Sequence, residues 1–252
     1  DLRMSRGLGD VYKRQEQRRK RRNSKDIEEA ILDAATVLIR EGGFGNLTAT
    51  GIMQKAEIEP IQFYKRYKDL DAFISEYVKI FDYWFSDIIK ESSLDSNINI
   101  QYENVLCNLL NSLWNNKIMQ ELLRWEIATK DKNSIRTAKL RELHTLPLCK
   151  KFADAFAETE IDIVAISALI IGGIYYMILH CELSEFSGIN LNNEQDRERM
   201  IKAIKYLANI LFQTPSYGYS TIKIASKMKK DNVALEKIAE YTNLPMQIIK
   251  EL

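Results

Sequence analysis

The chain has 252 residues, 46% of them hydrophobic, with 10 glycines and 4 prolines, enough to bury a sizeable core but too little punctuation for a many-stranded sheet. Its formal net charge of +1 is unevenly spread, with most of the positive excess lying before residue 26. Cys107, Cys149 and Cys181 lack the paired spacing of a zinc site or a disulfide framework, and reduced thiols in a cytoplasmic protein are expected.

Residues 1–15 include the tract MSRGLGDVYKRQ, which has neither helix nor strand periodicity and resembles translated sequencing-adapter read-through. It is expected to be non-native and carries no functional weight. Residues 16–24 form a basic arm in which Arg18, Arg19, Lys20, Arg21 and Arg22 are consecutive. Like charges at that density repel and stay extended in the absence of an anionic partner.

The first helix is predicted from Ser24, its cap, with Asp26, Glu28 and Glu29 at the positive end of the dipole. Ile27, Ile31, Ala34, Ala35, Leu38 and Ile39 recur at helical spacing, and Gly42-Gly43 ends the helix. Thr48 caps a second helix, ATGIMQKA, and Ile58 follows as an apolar plug. Pro60 suits a helix's first turn, so a third helix is predicted from Pro60 to about Lys68, with Glu59 as its cap. Phe63 lies where two steeply crossed helices share a small core. Asp69 caps a long helix from Leu70 to Ser92.

Ser24 to Phe73 resembles the DNA-binding domain of TetR-family transcriptional repressors, through ILDAATVLIREGGFGNLT, LTATGIMQKAEI and FYKRYKDLDAF. Departures from the family's pattern are Glu57 in the turn, Glu59 at the cap and Leu70 where a lysine commonly holds phosphate. The resemblance implies that Tyr64 and Lys68 touch the DNA backbone and that Thr48 and Thr50 lie near phosphate. By reach, Gln62 can offer a bidentate amide to a base edge, and Lys65 can meet base or phosphate. Two glutamates beside phosphate cost about 1 kcal/mol or less in salt. Against them stand Lys65, Arg66, Lys68 and the arm residues Arg18, Arg19, Arg21 and Arg22, each able to neutralise phosphate and release counterions. The implied protein is a homodimeric, ligand-responsive regulator of the cytoplasm, at the bacterial nucleoid when bound. It would read an inverted repeat of double-stranded DNA, usually as a repressor.

The expected fold is all-α, with a helix-turn-helix domain at 25–72, a helical regulatory and dimerisation domain at 73–213, a linker at 214–220 and a helical tail at 221–252. Breaks in the second domain are predicted at SSLDSN, TKDKNS, HTLPL, AETEID and ELSEFSGINLNNEQD. The resemblance implies that Asp162 to Leu183 and Asn193 to Gln213 pair with their twins in a four-helix interface, where Gly172 and Gly173 would admit a close partner. The run VAISALIIGGIYYMILHC falls short of the roughly 20 apolar residues needed to span a bilayer, and a helix buried in a bundle or dimer is expected, with no membrane. Aromatic density nominates Trp84, Trp114, Trp125, Tyr176 and His180 for a small-molecule pocket, together with Tyr83, Phe85, Tyr175 and Met177.

In the tail, Ile238 and Ala239, then Asn243-Leu244-Pro245, then Ile249 and Leu252 form a second two-helix pattern that echoes Ile52, Ile58-Glu59-Pro60 and Phe63. The tail also resembles a helical appendage of transposase-related nuclease-family proteins, but no acidic-lysine nuclease core is visible, and no such activity is implied. A hairpin for packing or protein contacts is expected there, with a weak second DNA contact as the alternative. His144 and His180 have no ligand-spaced partners, and no hydrolase, zinc-protease, P-loop or dinucleotide motif appears, so neither enzyme, metal nor cofactor is expected. The rival reading is a helical interaction protein whose helix-turn-helix no longer reads DNA sequence.

Overall fold

The computed structural model describes residues 22–92, 95, 97–157, 159–217 and 219–252. Helix α1 (Ser24–Gly42) is capped one residue before the expected cap: Asn23 Oδ1 accepts the Lys25 and Asp26 N–H groups at 2.8 and 2.9 Å, and Asp26 accepts the Asn23 N–H at 3.0 Å. An amide at that position satisfies two otherwise orphaned donors, which the Ser24 hydroxyl does not. Instead Ser24 is held by Arg66.

A 3-10 turn at Phe44–Asn46 leads to α2 (Ala49–Ala56), capped by Thr48 Oγ1 accepting Gly51 N at 3.0 Å. Glu57 then takes a left-handed conformation at φ 51°, ψ 52°, and α3 (Pro60–Tyr64) begins at the proline. Ile31, Ile39, Ile52 and Phe63 are fully buried beneath these three helices.

Helix α4 (Leu70–Tyr77) is capped by Asp69, which accepts Ala72 N at 2.7 Å. The long helix expected from Leu70 to Ser92 is interrupted by a 3-10 segment at Val78–Phe81 before α5 (Trp84–Ser92). The tighter turn buries both Tyr77 and Val78 while Asp82 meets Arg136 at 3.0 Å. The body continues with α6 (Ile98–Asn115), α7 (Lys117–Ala128), α8 (Lys132–Ala155), α9 (Ile163–His180) and α10 (Glu194–Tyr217). Helix α6 is central, packing on α5, α7, α9 and α10 with Tyr102, Leu109, Leu110 and Leu113 buried.

Two further expectations are corrected. HTLPL does not break the chain: Pro147 lies inside α8. A proline strips the i−4 carbonyl of its donor, but that residue here is Leu143, which is exposed, so water can replace the lost partner. The linker placed at 214–220 is helical as far as Tyr217, and α11 (Tyr219–Lys230) starts two residues later. Helices α12 (Leu235–Thr242) and α13 (Met246–Glu251) complete the tail. Ala225, Ile238, Leu244 and Ile249 give it a small core separate from the main one.

Three contacts join helices α1–α4 to one another and to the body. Phe44 stacks on Trp125 of α7. Thr36 Oγ1 and Tyr77 Oη are 2.7 Å apart. Asp71 bonds Lys132 at 2.6 Å and Asn133 Nδ2 at 2.9 Å. Gly43, at φ 72°, lies so close to α7 that a Cβ there would come within 2.9 Å of a Glu121 carboxylate oxygen.

Candidate nucleic-acid interface and regulatory cavity

Phe63 anchors α3 from below, ringed by Tyr67 and Phe73 with centroids 5.4 and 5.9 Å away. With that face buried, the opposite face turns Ile61, Tyr64 and Lys65 outward, and Lys68 follows in the exposed connection to α4. Thr48 and Thr50 are exposed at the start of α2. Tyr67 packs in the core, as its spacing predicts, and burial raises its pKa above the ordinary tyrosine value, with Glu28 adding to the rise and Arg66 opposing it.

Three polar side chains assigned to DNA by reach or charge have partners within the protein. Gln62 Oε1 accepts the Glu59 N–H at 2.9 Å, closing the first turn of α3. Arg66 donates to Gln62 O at 2.8 Å and to Ser24 O and Oγ at 2.9 Å each, tying α3 to the start of α1. Arg22 donates to Ala56 O at 2.8 Å, satisfying a carbonyl at the end of α2. That contact fixes the root of the arm beside the α2–α3 turn, where Arg22, Glu57, Gln62, Lys65 and Arg66 line one open groove. Arg18, Arg19 and Arg21 lie outside the described residues. Arg66, just past the end of α3 and three residues after Phe63, is half-buried, and no sequence signal marks its carbonyl partners.

The helical body holds a cavity of about 370 Å³ between α5, α6, α8 and α9. Its walls are mainly apolar, with Phe85, Tyr102, Leu148, Phe152 and Ile171 among them. One end is polar. Arg141, a lining residue, grips Glu126 through two bonds of 2.9 and 2.7 Å, and Thr137 Oγ1 adds a third at 2.5 Å. Glu142 lies exposed at the rim. Tyr102 Oη and Ser167 Oγ are 3.0 Å apart; because Ser167 donates to Ile163 O, the tyrosine is the donor in that pair. Burial raises the pKa of Tyr102 and of Tyr175, which also lines the cavity, so both remain neutral phenols at physiological pH.

None of the five residues nominated for a pocket lines this cavity, although Phe85 and Tyr175 of the wider aromatic set do. Trp125 stacks on Phe44, Trp114 lies beneath the Arg197 guanidinium at 4.8 Å, and Tyr176 stacks on His180 with centroids 5.0 Å apart. Trp84 is half-buried against Phe85. Ring density marks where the core is, whereas the cavity arises where Ala138, Ala168 and Gly172 leave room.

Helix α9 is apolar on most of its circumference, yet only 17% of it is buried in the single chain, so one subunit's bundle does not supply the enclosure expected for it. Leu169 is 77% exposed, and Val164, Ala165, Gly173 and Tyr176 share that outer surface. On α10, Tyr206, Leu207 and Ile210 are also exposed. By length and composition α9 is the one helix among the described residues able to cross a membrane.

No protein-family model and no curated protein matches the sequence. Solved structures do match the fold. A TetR family transcription regulator from Marinobacter aquaeolei VT8 aligns with a TM-score of 0.52 and 13% identity, over 72% of this chain and 94% of its own. A TetR-family transcriptional regulator from Rhodococcus sp. aligns with a TM-score of 0.51 and 16% identity, over 73% of this chain and 99% of its own. Part of this chain therefore has no counterpart in either. What the chain shares with both is its architecture, and its fold is that of the TetR-family transcription regulators.

Proposed function

We propose that the protein is a ligand-responsive transcriptional regulator, acting as a repressor, that binds an inverted repeat in duplex DNA as a homodimer in the bacterial cytoplasm. The observation that carries this reading is α3, which buries Phe63 completely while presenting Tyr64 and Lys65 on the opposite face, with Lys68 just beyond. Tyr64, Lys65 and Lys68 would meet the DNA backbone with Thr48 and Thr50, and Arg18, Arg19 and Arg21 would track the flanking groove. Arg22 would act as the hinge pin of that arm. Gln62 would reach a base edge through its amide nitrogen while its oxygen holds the turn. Glu57 and Glu59 are exposed, so their repulsion is screened, and the arm's counterion release outweighs it.

The apolar outer faces of α9 and α10 are proposed as the dimer interface. Covering them with a second copy removes Leu169, Tyr176, Tyr206, Leu207 and Ile210 from water, at about 25 cal/mol per Å². The cavity is proposed as the effector site. Its one cationic residue, Arg141, is already neutralised by Glu126, so the ligand would be an apolar molecule without an anionic head. It would act by binding more tightly to one separation of the two reading heads than to the other.

Selection from random duplex DNA with protein starting at Glu16 tests the reading. An enriched inverted repeat supports it. Salt-dependent binding without an enriched sequence would leave the arm working and remove sequence reading. No binding by a folded dimer would turn the assignment to a helical interaction protein.

A further inference from the structure

Helices α11 to α13 repeat, on a small scale, the geometry of the amino-terminal unit. Helix α12 has 8 residues, as does α2. Asn243 ends α12 in the left-handed conformation at φ 52°, where Glu57 ends α2 at φ 51°. An apolar plug follows each, Leu244 at 3% and Ile58 partly exposed, and a proline then opens the next helix, as cap at Pro245 and as first residue at Pro60. Ile238 and Ile249 are fully buried at the same spacing as Ile52 and Phe63, and Ala225 of α11 closes the core from the third side, as Ile39 of α1 does. A helix, left-handed turn and helix, packed on a third helix over a core of their own, is the arrangement that projects a short helix into a groove.

Charge on this unit is sorted. Helix α11 carries Lys223, Lys227, Lys229 and Lys230 and no acidic residue, whereas α12 carries Glu236 and Glu240 with the single cation Lys237. Lys223, Lys227 and Lys230 follow at i, i+4 and i+7, all three are exposed, and they line one groove with Leu252, just past α13. Lys229 Nζ donates to Lys250 O at 2.7 Å, fastening the lysine-bearing helix to the end of α13. Glu251, the one acidic residue of α13, lies 3.4 Å from Gln213 Nε2 on α10. The surface formed by α13 and the lysine stripe thus pairs a projecting helix with cations at the spacing of a phosphate-facing ridge.

We propose that α11–α13 form a second duplex-DNA contact, in which Lys223, Lys227 and Lys230 lie along the phosphate backbone beside α13. This contact is sequence-tolerant, because the lysine stripe meets phosphate rather than base edges and α13 exposes a single amide, Gln247. It is independent of the reading given to α3, and it reverses the expectation that the tail serves packing or protein contacts.

The test uses the full chain in four forms: wild type; a head variant, Tyr64→Ala with Lys65→Ala; a tail variant, Lys223→Gln with Lys227→Gln and Lys230→Gln; and the two combined. Binding to a long mixed-sequence duplex is followed by anisotropy across a salt series, with far-ultraviolet melting as the check on folding. The tail variant should lose about two to three units from the slope of log K against log salt, at about 0.9 per phosphate contact. The head variant should keep the tail's share of the slope, and the combined variant should lose both shares together, leaving only what the basic arm contributes. A tail variant with the wild-type slope and affinity overturns the proposal, and a changed sedimentation coefficient alongside unchanged DNA binding would identify a protein contact instead. If the wild type enriches no sequence while its binding falls with the tail lysines, α3 fails as a reader and the tail stands. If the wild type binds no duplex, both fail.

Discussion

Phe44 stacks on Trp125 with ring centroids 5.4 Å apart and an interplanar angle of 26°, joining the turn after α1 to α7 of the helical body. Both rings are buried, and Phe44 also meets Tyr77 edge-on at 6.1 Å. Aromatic pairs of this kind contribute about 0.5–1.5 kcal/mol beyond their area. Trp125→Ala should therefore destabilise the protein by about 3–5 kcal/mol. Trp125→Phe should cost much less. Urea denaturation distinguishes them; a loss below about 1 kcal/mol for the alanine variant would mean that the two parts are not held together here.

Arg66 and Lys65 are neighbours with opposite expected roles. Arg66 makes its bonds inside the protein, and hydrogen bonds from charged groups contribute about 1.5–3 kcal/mol, less here because the site is partly exposed. Arg66→Ala should lower stability by about 1–2 kcal/mol and leave the salt slope of DNA binding unchanged. Lys65→Ala should change stability by less than about 0.5 kcal/mol and reduce the slope by about one unit. The reverse pattern would reassign both residues.

The helix-turn-helix was legible because its determinants are local. Pro60 can begin a helix, Glu57 must accept a left-handed turn, and Phe63 falls at the one spacing that reaches Ile52. The cavity was not legible, because an empty space depends on which small residues of four separate helices come to face one another. Ala138, Ala168 and Gly172 are ordinary helical residues until α8 and α9 are packed. The internal contacts of Arg22 and Arg66 were hidden for a related reason. A sequence shows that an arginine is positive, but not that a carbonyl lies within reach of its guanidinium. Pro147 shows the converse, since its effect on α8 is cancelled by the exposure of Leu143, which only the packed structure reveals.

Cys107 gives a pH-dependent prediction. Burial pushes its thiol from 9.0 to about 11, with Glu103 adding to the rise and Lys205 opposing it. Two units correspond to about a hundredfold less thiolate at a given pH, so alkylation of Cys107 in the folded protein should be correspondingly slow. The folded pKa lies above the unfolded one, so the contribution to stability is fully present below pH 9.0 and is lost as pH rises toward about 11. Cys107→Ala should flatten that alkaline loss in urea titrations. Equal alkylation rates in native and unfolded protein would refute the burial.

Gly173 offers a test of the proposed dimer that separates interface from fold. A Cβ at this position meets nothing within 4 Å in the single subunit, and the residue sits on the exposed side of α9. Replacing a helical glycine with leucine should favour the helix by close to 1 kcal/mol, so Gly173→Leu should raise the stability of an isolated subunit. In a dimer whose α9 helices approach closely, the same side chain would stand where the partner's backbone must come. Gly173→Leu should then sediment as a monomer at concentrations where the wild type is a dimer, and Gly173→Ala should fall between. Leu169→Glu should also dissociate the dimer, by leaving a charge against an apolar surface. If Gly173→Leu remains a dimer while Leu169→Glu does not, α9 is still the interface but the glycine is not its closest approach. If both remain dimers, the interface lies elsewhere on the chain.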